Sequence, residues 1–276
     1  MFASVTTGTS TEGAGGRPGD AWRRALAEAA PPQHLVDAAP PRPQHLEPEM
    51  FRWRPGDEDG VPIRPSRRRV LEALPEGGTV LDVGVGGGRS SLPLGGRASR
   101  IVGVDRSEEM LASFEASARH AGIDARGVLG TWPAVAAEVE PADVVVCHNA
   151  VYGEEEIEPF FEALTTHARR RVVVEVSTVP PPWGLARVWK AVHGTERPTP
   201  PVADLLEGVL AAMGLVAGRE DVVVPGQARE VTPERVAFAR RRLYVGQERD
   251  EEIAELLRTL PPVDVTVAAL WWPGAA

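Results

Sequence analysis

The chain of 276 residues has one cysteine, one lysine (Lys190, among 30 basic residues) and two tyrosines. A lone Cys147 excludes an internal disulfide framework and a multi-cysteine metal site. No carboxylate cluster reads as a magnesium site, so no metal is expected. Runs of about 18 apolar residues, the length that spans a bilayer as a helix, are also lacking. The first twenty residues, MFASVTTGTSTEGAGGRPGD, have neither a basic start nor an apolar stretch. They do not read as a signal peptide, and a cytoplasmic protein is the expectation. Positive charge is not in excess either: the net charge is −9. A chain that grips duplex nucleic acid through its phosphates is usually basic, so a nucleic-acid partner is not expected. The scarcity of lysine beside abundant Ala, Gly, Pro and Val reads as coding bias, and arginine counts carry little weight.

The composition is that of a folded protein, with 43% hydrophobic and 25% charged residues. The length suits one large domain or two small ones. Residues 1–19, rich in Gly, Ser and Thr, read as a disordered tail. A helix is expected over Ala21–Ala30. Nine prolines between Pro31 and Pro65 then argue for extended chain and turns. Phe51 and Trp53 lie within that stretch, so residues 20–65 read as an N-terminal cap packed on the remainder.

From Ser66 the pattern alternates. Short apolar runs at Thr79–Val83, Ile101–Asp105, Gly127–Leu129, Asp143–Cys147 and Val172–Val176 suit strands buried on both faces, as in a parallel sheet. Leu215–Val224 and Val265–Trp271 are two further strand candidates. Helical patterns separate them: Arg67–Leu74, a helix capped by Ser107, and Ile157, Phe160, Phe161 and Leu164 at i, i+3, i+4, i+7. Later helices are expected over Leu185–His193, around Leu205–Met213, after Thr232-Pro233, and around Ile253–Leu260. Alternating strand and helix predicts an open α/β sheet.

The stretch Val80-Leu81-Asp82-Val83-Gly84-Val85-Gly86-Gly87-Gly88-Arg89-Ser90 carries the chemistry. A strand ends in a glycine-rich turn, where the backbone can take positive φ and a ligand can approach closely. A helix is expected after it, with free N–H groups at its N-terminus for an anion. Asp105 ends the next strand, 21 positions after Gly84. At that spacing a carboxylate can accept both hydroxyls of an adenosine ribose. The dinucleotide fingerprint G-x-G-x-x-G/A fails: counted from Gly84 its sixth position is Arg89, and from Gly86 it is Ser91.

These residues resemble instead the class I S-adenosylmethionine-dependent methyltransferases. Their first motif, an acid followed by h-G-x-G-x-G, is met by Asp82, Gly84, Gly86 and Gly88, with Val85 in the loop. Asp105, followed by Arg106, matches the acid that ends their second strand. Val128–Trp132 resembles the segment flanking the adenine, with Thr131 where many members carry an acid. Asp143–Val151 resembles the fourth-strand motif. The resemblance implies a three-layer Rossmann-like fold over residues 66–276, a mostly parallel seven-stranded sheet whose last strand, Val265–Trp271, is antiparallel. It implies S-adenosyl-L-methionine as cofactor. Gly84–Gly88 would wrap its methionine part, Asp82 would steady that loop, and Trp132 would lie against the adenine, with Pro133 starting the next helix. His148 and Asn149 would face the methyl group.

The implied reaction is an in-line displacement that asks the protein to align a nucleophile, with a base where the acceptor must lose a proton. His148 is the first candidate base and Tyr152 a positioning group. His193 is a weaker candidate base, and Glu175 reads as capping an internal hydrogen-bond network. Glu154–Glu156 suit a helix start. Arg169–Arg171 and Arg240–Arg242 suit helix C-termini, with phosphate binding the alternative. Trp271 and Trp272 would place one ring in the core and one towards a pocket. The D/N-P-P-Y/F tetrapeptide of amino-directed nucleic-acid methyltransferases is replaced by His148-Asn149-Ala150-Val151. The leading expectation is therefore methyl transfer to a small-molecule acceptor. A cofactor-binding module without catalysis and a nicotinamide-dependent oxidoreductase are the alternatives. The sequence does not define the oligomeric state.

Overall fold

The computed structural model describes residues 16–39, 48–179, 181, 183–226 and 230–276. Most of the expected tail over 1–19 and part of the proline-rich stretch of the expected cap fall outside the described residues. Seven strands form one sheet: β1 (Gly78–Val83), β2 (Ala98–Asp105), β3 (Ala125–Leu129), β4 (Ala142–His148), β5 (Ala168–Ser177), β6 (Gly218–Val224) and β7 (Val265–Pro273). Their order is β3-β2-β1-β4-β5-β7-β6. The first five pair in parallel, and β7 runs antiparallel to both β5 and β6. The order reverses between β1 and β4, which opens a crevice at the carboxyl ends of the central strands.

The strands at the centre are apolar on both faces because both are covered. Val144, Val145, Val146 and Cys147 of β4 are all fully buried. One face, with Leu81, Val145, Val172, Val174 and Leu270, packs under α1 (Asp20–Ala29), α6 (Ile157–Thr166) and α8 (Val202–Ala212). The other face, with Val80, Ile101, Val144 and Val173, packs under α4 (Pro65–Ala73) and α5 (Glu108–Ala121). Ser107 caps α5, its hydroxyl accepting from the Met110 N–H, and Thr232 caps α9 (Pro233–Leu243) in the same way. A third cluster joins α7 (Ala186–His193), α9 and α10 (Asp250–Thr259) through Trp189, Leu243, Tyr244 and Ile253.

Two expected helices do not form. After the glycine turn there is only a 3₁₀ turn at Leu92–Leu94. Pro93 and the pair Gly95-Gly96 leave too few helix-forming residues between Gly88 and β2. After Pro133 only a 3₁₀ turn at Ala136–Glu138 appears, since Val135, Val139 and Pro141 bound a very short segment.

The N-terminal segment occupies the space beside the first of these turns. After α3 (Pro48–Phe51), Arg52 makes an isolated antiparallel bridge with Gly88. The Trp53 N–H donates to the Gly87 carbonyl at 3.1 Å. The Trp53 ring is buried in one cluster with Val85, Leu92 and Phe114. The described parts of residues 20–65 attach to the sheet and its helices through buried side chains at three places, and through the Arg64–Glu175 ion pair. Trp22 enters the core under α6 and α8, Leu35 of α2 (Gln33–Ala38) packs on the third cluster, and Trp53 packs on the glycine turn.

Trp22 is 1% exposed and its indole N–H donates to the Glu154 carbonyl at 2.6 Å. Trp22→Ala is expected to cost about 3–5 kcal/mol of stability in equilibrium urea unfolding, the usual range for emptying a buried aromatic site. A loss below about 1 kcal/mol would show that α1 is not part of this core.

Candidate active site

The end of β1 turns sharply and is fixed to β2. The Gly84 and Val85 N–H groups both donate to the Val104 carbonyl, at 2.8 and 3.0 Å. Gly84 has φ +74°, and a Cβ there would lie 2.2 Å from the Cβ of Ala150, just past β4. Gly84 therefore lets the ends of β1 and β4 approach. Gly86 has φ +52°, and a Cβ there would meet nothing within 4 Å. It is the position in the turn that leaves room for a ligand. Gly88 and the Val85 side chain face the packed interior around Phe114.

Asp105 closes the turn from the side. Its Oδ2 accepts from the Gly86 N–H at 2.9 Å, and its Oδ1 accepts from the Ser107 N–H at 2.9 Å. A carboxylate offers about four acceptor sites, so both oxygens retain capacity for hydroxyl donors. The sequence motif and the acid of the second strand thus meet at one place. Arg106 and Thr131 are exposed beside the strand ends.

Asp82 lies beneath the turn with no solvent exposure. The Ser90 hydroxyl donates to its Oδ2 at 2.5 Å, while its Oδ1 has no partner. Burial raises its proton affinity above the ordinary carboxylate range, against the pull of the Ser90 and Ser91 hydroxyls and nearby His148. His148 ends β4, and its Nε2 is buried without a partner. Asp82 Oδ1, Ser91 Oγ and His148 Nε2 are thus three buried polar atoms without a hydrogen-bond partner close to the turn, of the kind a polar ligand would complete.

Asn149 has φ +55°. Its N–H donates to the Glu175 carbonyl at 2.7 Å, fixing the chain as it leaves β4. The Tyr152 hydroxyl lies 2.9 Å from Asn149 Oδ1 and 2.8 Å from Ser177 Oγ, and accepts from the Ser177 N–H at 2.7 Å. Burial pushes the Tyr152 phenol up to about 12. Its place is that of a brace between the ends of β4 and β5, in line with a positioning role.

Glu175, on β5, accepts from Arg64 Nη1 at 3.0 Å and from the Ser66 hydroxyl. It does cap an internal network. Arg64 and Ser66 escape a reading of the sequence because they stand 111 and 109 positions from their partner. Their one local signal is Pro65 at a helix start.

Several expected residues lie elsewhere. Trp132 is 5% exposed, sits in the core edge-on to His167, and donates to the Phe160 carbonyl at 3.3 Å. It is a core tryptophan, so the expected contact with adenine does not follow from its ring. His193 Nε2 pairs with the Leu243 carbonyl at 2.8 Å within the third helical cluster. Arg170 and Arg171 pair with Asp143 and Glu72, and Arg240 pairs with Asp250. Trp272 is core, and Trp271 lies under the Arg69 guanidinium at 4.1 Å. Cys147 is buried, which pushes its thiol up. Among the described residues no group of His, Cys, Asp and Glu could hold a metal, and no helix is long and apolar enough to cross a membrane.

Comparison with known proteins agrees with this architecture. Residues 80–171 match the family model described as a methyltransferase domain. A search of curated proteins finds no match to the chain. Among solved structures, the YcgJ protein of Bacillus subtilis is 13% identical, with a TM-score of 0.50 over 76% of this chain and 98% of its own. A protein of Bacillus halodurans C-125 assigned as a methyltransferase is 14% identical, with a TM-score of 0.50 over 77% and 99%. At such identities the likeness is one of fold. Over residues 80–171 the chain is similar to methyltransferase domains, and its sheet shares the Rossmann-like fold of these structures.

The burial of Asp82 gives a signed prediction. A carboxyl whose native proton affinity is raised lowers stability as pH climbs from the unfolded-state value to the native one. Asp82→Asn removes that cost and keeps an oxygen for the Ser90 hydroxyl. The urea midpoint of Asp82→Asn is expected to exceed the wild type at pH 7, with the difference shrinking towards pH 4. A lower midpoint at pH 7 would show that the charge is compensated.

Proposed function

We propose that the protein is an S-adenosylmethionine-dependent methyltransferase that acts on a small-molecule acceptor. The observation that carries this reading is the hydrogen bond from the Gly86 N–H to Asp105 beside the free space at Gly86. It joins a backbone cradle to a carboxylate that can take ribose hydroxyls. Asp82 Oδ1 and His148 Nε2, buried without partners near the strand ends, would supply further polar contacts. Asp82 and Gly86 would hold the methionine part, with Gly84, Val85 and Gly88 shaping the turn around it. Asp105, Arg106 and the Thr131 region would hold the adenosine, and His148 and Asn149 would flank the reacting end. S-adenosylmethionine, when bound, supplies an electrophilic methyl carbon on a sulfonium leaving group.

The chain's own residues then have two tasks. The first is to orient the acceptor, which the Tyr152 and Asn149 brace serves by fixing the exit of β4. The second is to take a proton from an O–H or N–H acceptor, and His148 has a nitrogen without a protein partner for that. The acidic chain and the missing D/N-P-P-Y/F tetrapeptide favour a small molecule over nucleic acid. A nicotinamide dinucleotide is disfavoured, because the glycine turn leads into a 3₁₀ turn and not into the helix N-terminus that would hold a pyrophosphate.

Titration calorimetry with S-adenosylhomocysteine is the direct test. The wild type is expected to bind it, and Asp105→Asn to bind at least tenfold more weakly, since a hydrogen bond to a charged group is worth about 1.5–3 kcal/mol. Gly86→Val is expected to abolish binding, because it fills the free space and strains a left-handed backbone. Tight NAD binding with no response to S-adenosylhomocysteine would overturn the reading. With binding intact, incubation with methyl-labelled cofactor and fractionated cell extract separates an enzyme from a binding module, which would label no product.

A further inference from the structure

Three titratable side chains share one face of the sheet at the carboxyl ends of adjacent strands. Asp82 of β1 pairs with Val146, two residues before His148 on β4, and His148 pairs with Glu175 on β5. Strand neighbours in register, and residues two apart, point to the same side, so His148 stands between the two carboxyls.

Glu175 interrupts the apolar run Val172–Val176 and is 4% exposed. Both of its oxygens are engaged, by the Arg64 guanidinium and the Ser66 hydroxyl at the start of α4. Burial alone would raise its proton affinity. The charges of His148 and Arg64, with the Ser66 hydroxyl, bring it below the ordinary carboxylate range. A buried carboxylate held ionised in this way is weak as a stabilising device and strong as a fixed charge. It sits beside an imidazole whose Nε2 has no protein partner.

We propose that Glu175, fixed by Arg64 and Ser66, is a positioning residue for His148, its carboxylate stabilising the imidazolium that forms when Nε2 takes the acceptor's proton. In that step the acceptor's O–H or N–H bond breaks, its electron pair stays on the acceptor atom, and the proton bonds to Nε2. The step requires the imidazole to enter it with its one proton on Nδ1. This role rests on the methyltransferase reading. The electrostatic pair behind it can be measured without an acceptor.

The charged groups around His148 come from three elements: Asp82 on β1, Glu175 on β5, and Arg64 ahead of α4. The experiment is an NMR titration of the full chain with 13C-labelled histidine, in which His148→Asn identifies the resonance among six histidines. Glu175→Gln removes the carboxylate charge with little change of shape, and the His148 midpoint is expected to fall by about one pH unit or more. Arg64→Gln removes the opposing charge from a half-exposed side chain, and the midpoint is expected to rise. Opposite shifts from the two variants are what a fixed charge produces and a packing role does not. A midpoint unmoved in Glu175→Gln, or moved in the same direction by both variants, would overturn the proposal. If Glu175→Gln does not fold, a midpoint unmoved or lowered in Arg64→Gln overturns it. S-adenosylhomocysteine affinity is measured on the same samples. Its absence in the wild type would sink the methyltransferase reading, while the titration still reports on the pair.

Discussion

The hydrogen bond between the Gly86 N–H and the Asp105 carboxylate is the constraint from which the rest of the site follows. A glycine-rich turn alone has many conformations and a high entropic cost of ordering. Here its first two N–H groups are spent on Val104 and its third on Asp105, so three successive residues are referenced to β2. The same carboxylate takes the Ser107 N–H and thereby sets the entry to α5. One side chain thus fixes the loop, the strand end and the following helix. The free space at Gly86 opens beside it.

That arrangement is held without the helix that commonly backs such a turn. The N-terminal segment takes over part of its work, with Trp53 in the core and its N–H on Gly87. Beneath the turn the protein accepts unfavourable burial of Asp82, and further along the sheet it holds Glu175 ionised in an apolar strand. A buried carboxyl that costs stability and a buried carboxylate held ionised, together at the carboxyl edge of an open sheet, mark a place shaped by function as well as by packing.

Much of this was legible in the sequence. Uninterrupted apolar runs such as Val144–Cys147 identify strands covered on both faces, and the caps Ser107 and Thr232 mark their helices correctly. Asp82, Gly84, Gly86 and Asp105 could be found because the chemistry of the turn is local in the chain. Trp132 could not be placed, since a tryptophan beside a strand end can serve core or pocket equally, and long-range packing against His167 and Phe160 decided it. The missing helix after Gly88 was signalled by Pro93 and Gly95-Gly96, which outweigh the familiar strand–turn–helix pattern. Arg64 and Ser66 carry no periodic or motif signal, and the packing of α4 on β5 brings them to Glu175, which the register of β4 with β5 sets beside His148.

The central claim is that the junction of residues 84–88 with 105–107 receives an adenosyl cofactor, and a 15N-labelled sample titrated with S-adenosylhomocysteine tests it most directly. The account predicts that the amide resonances of Gly86 and Ser107 move together along one saturation curve, while those of α10 stay in place. Saturable binding that leaves Gly86 and Ser107 unmoved would contradict it.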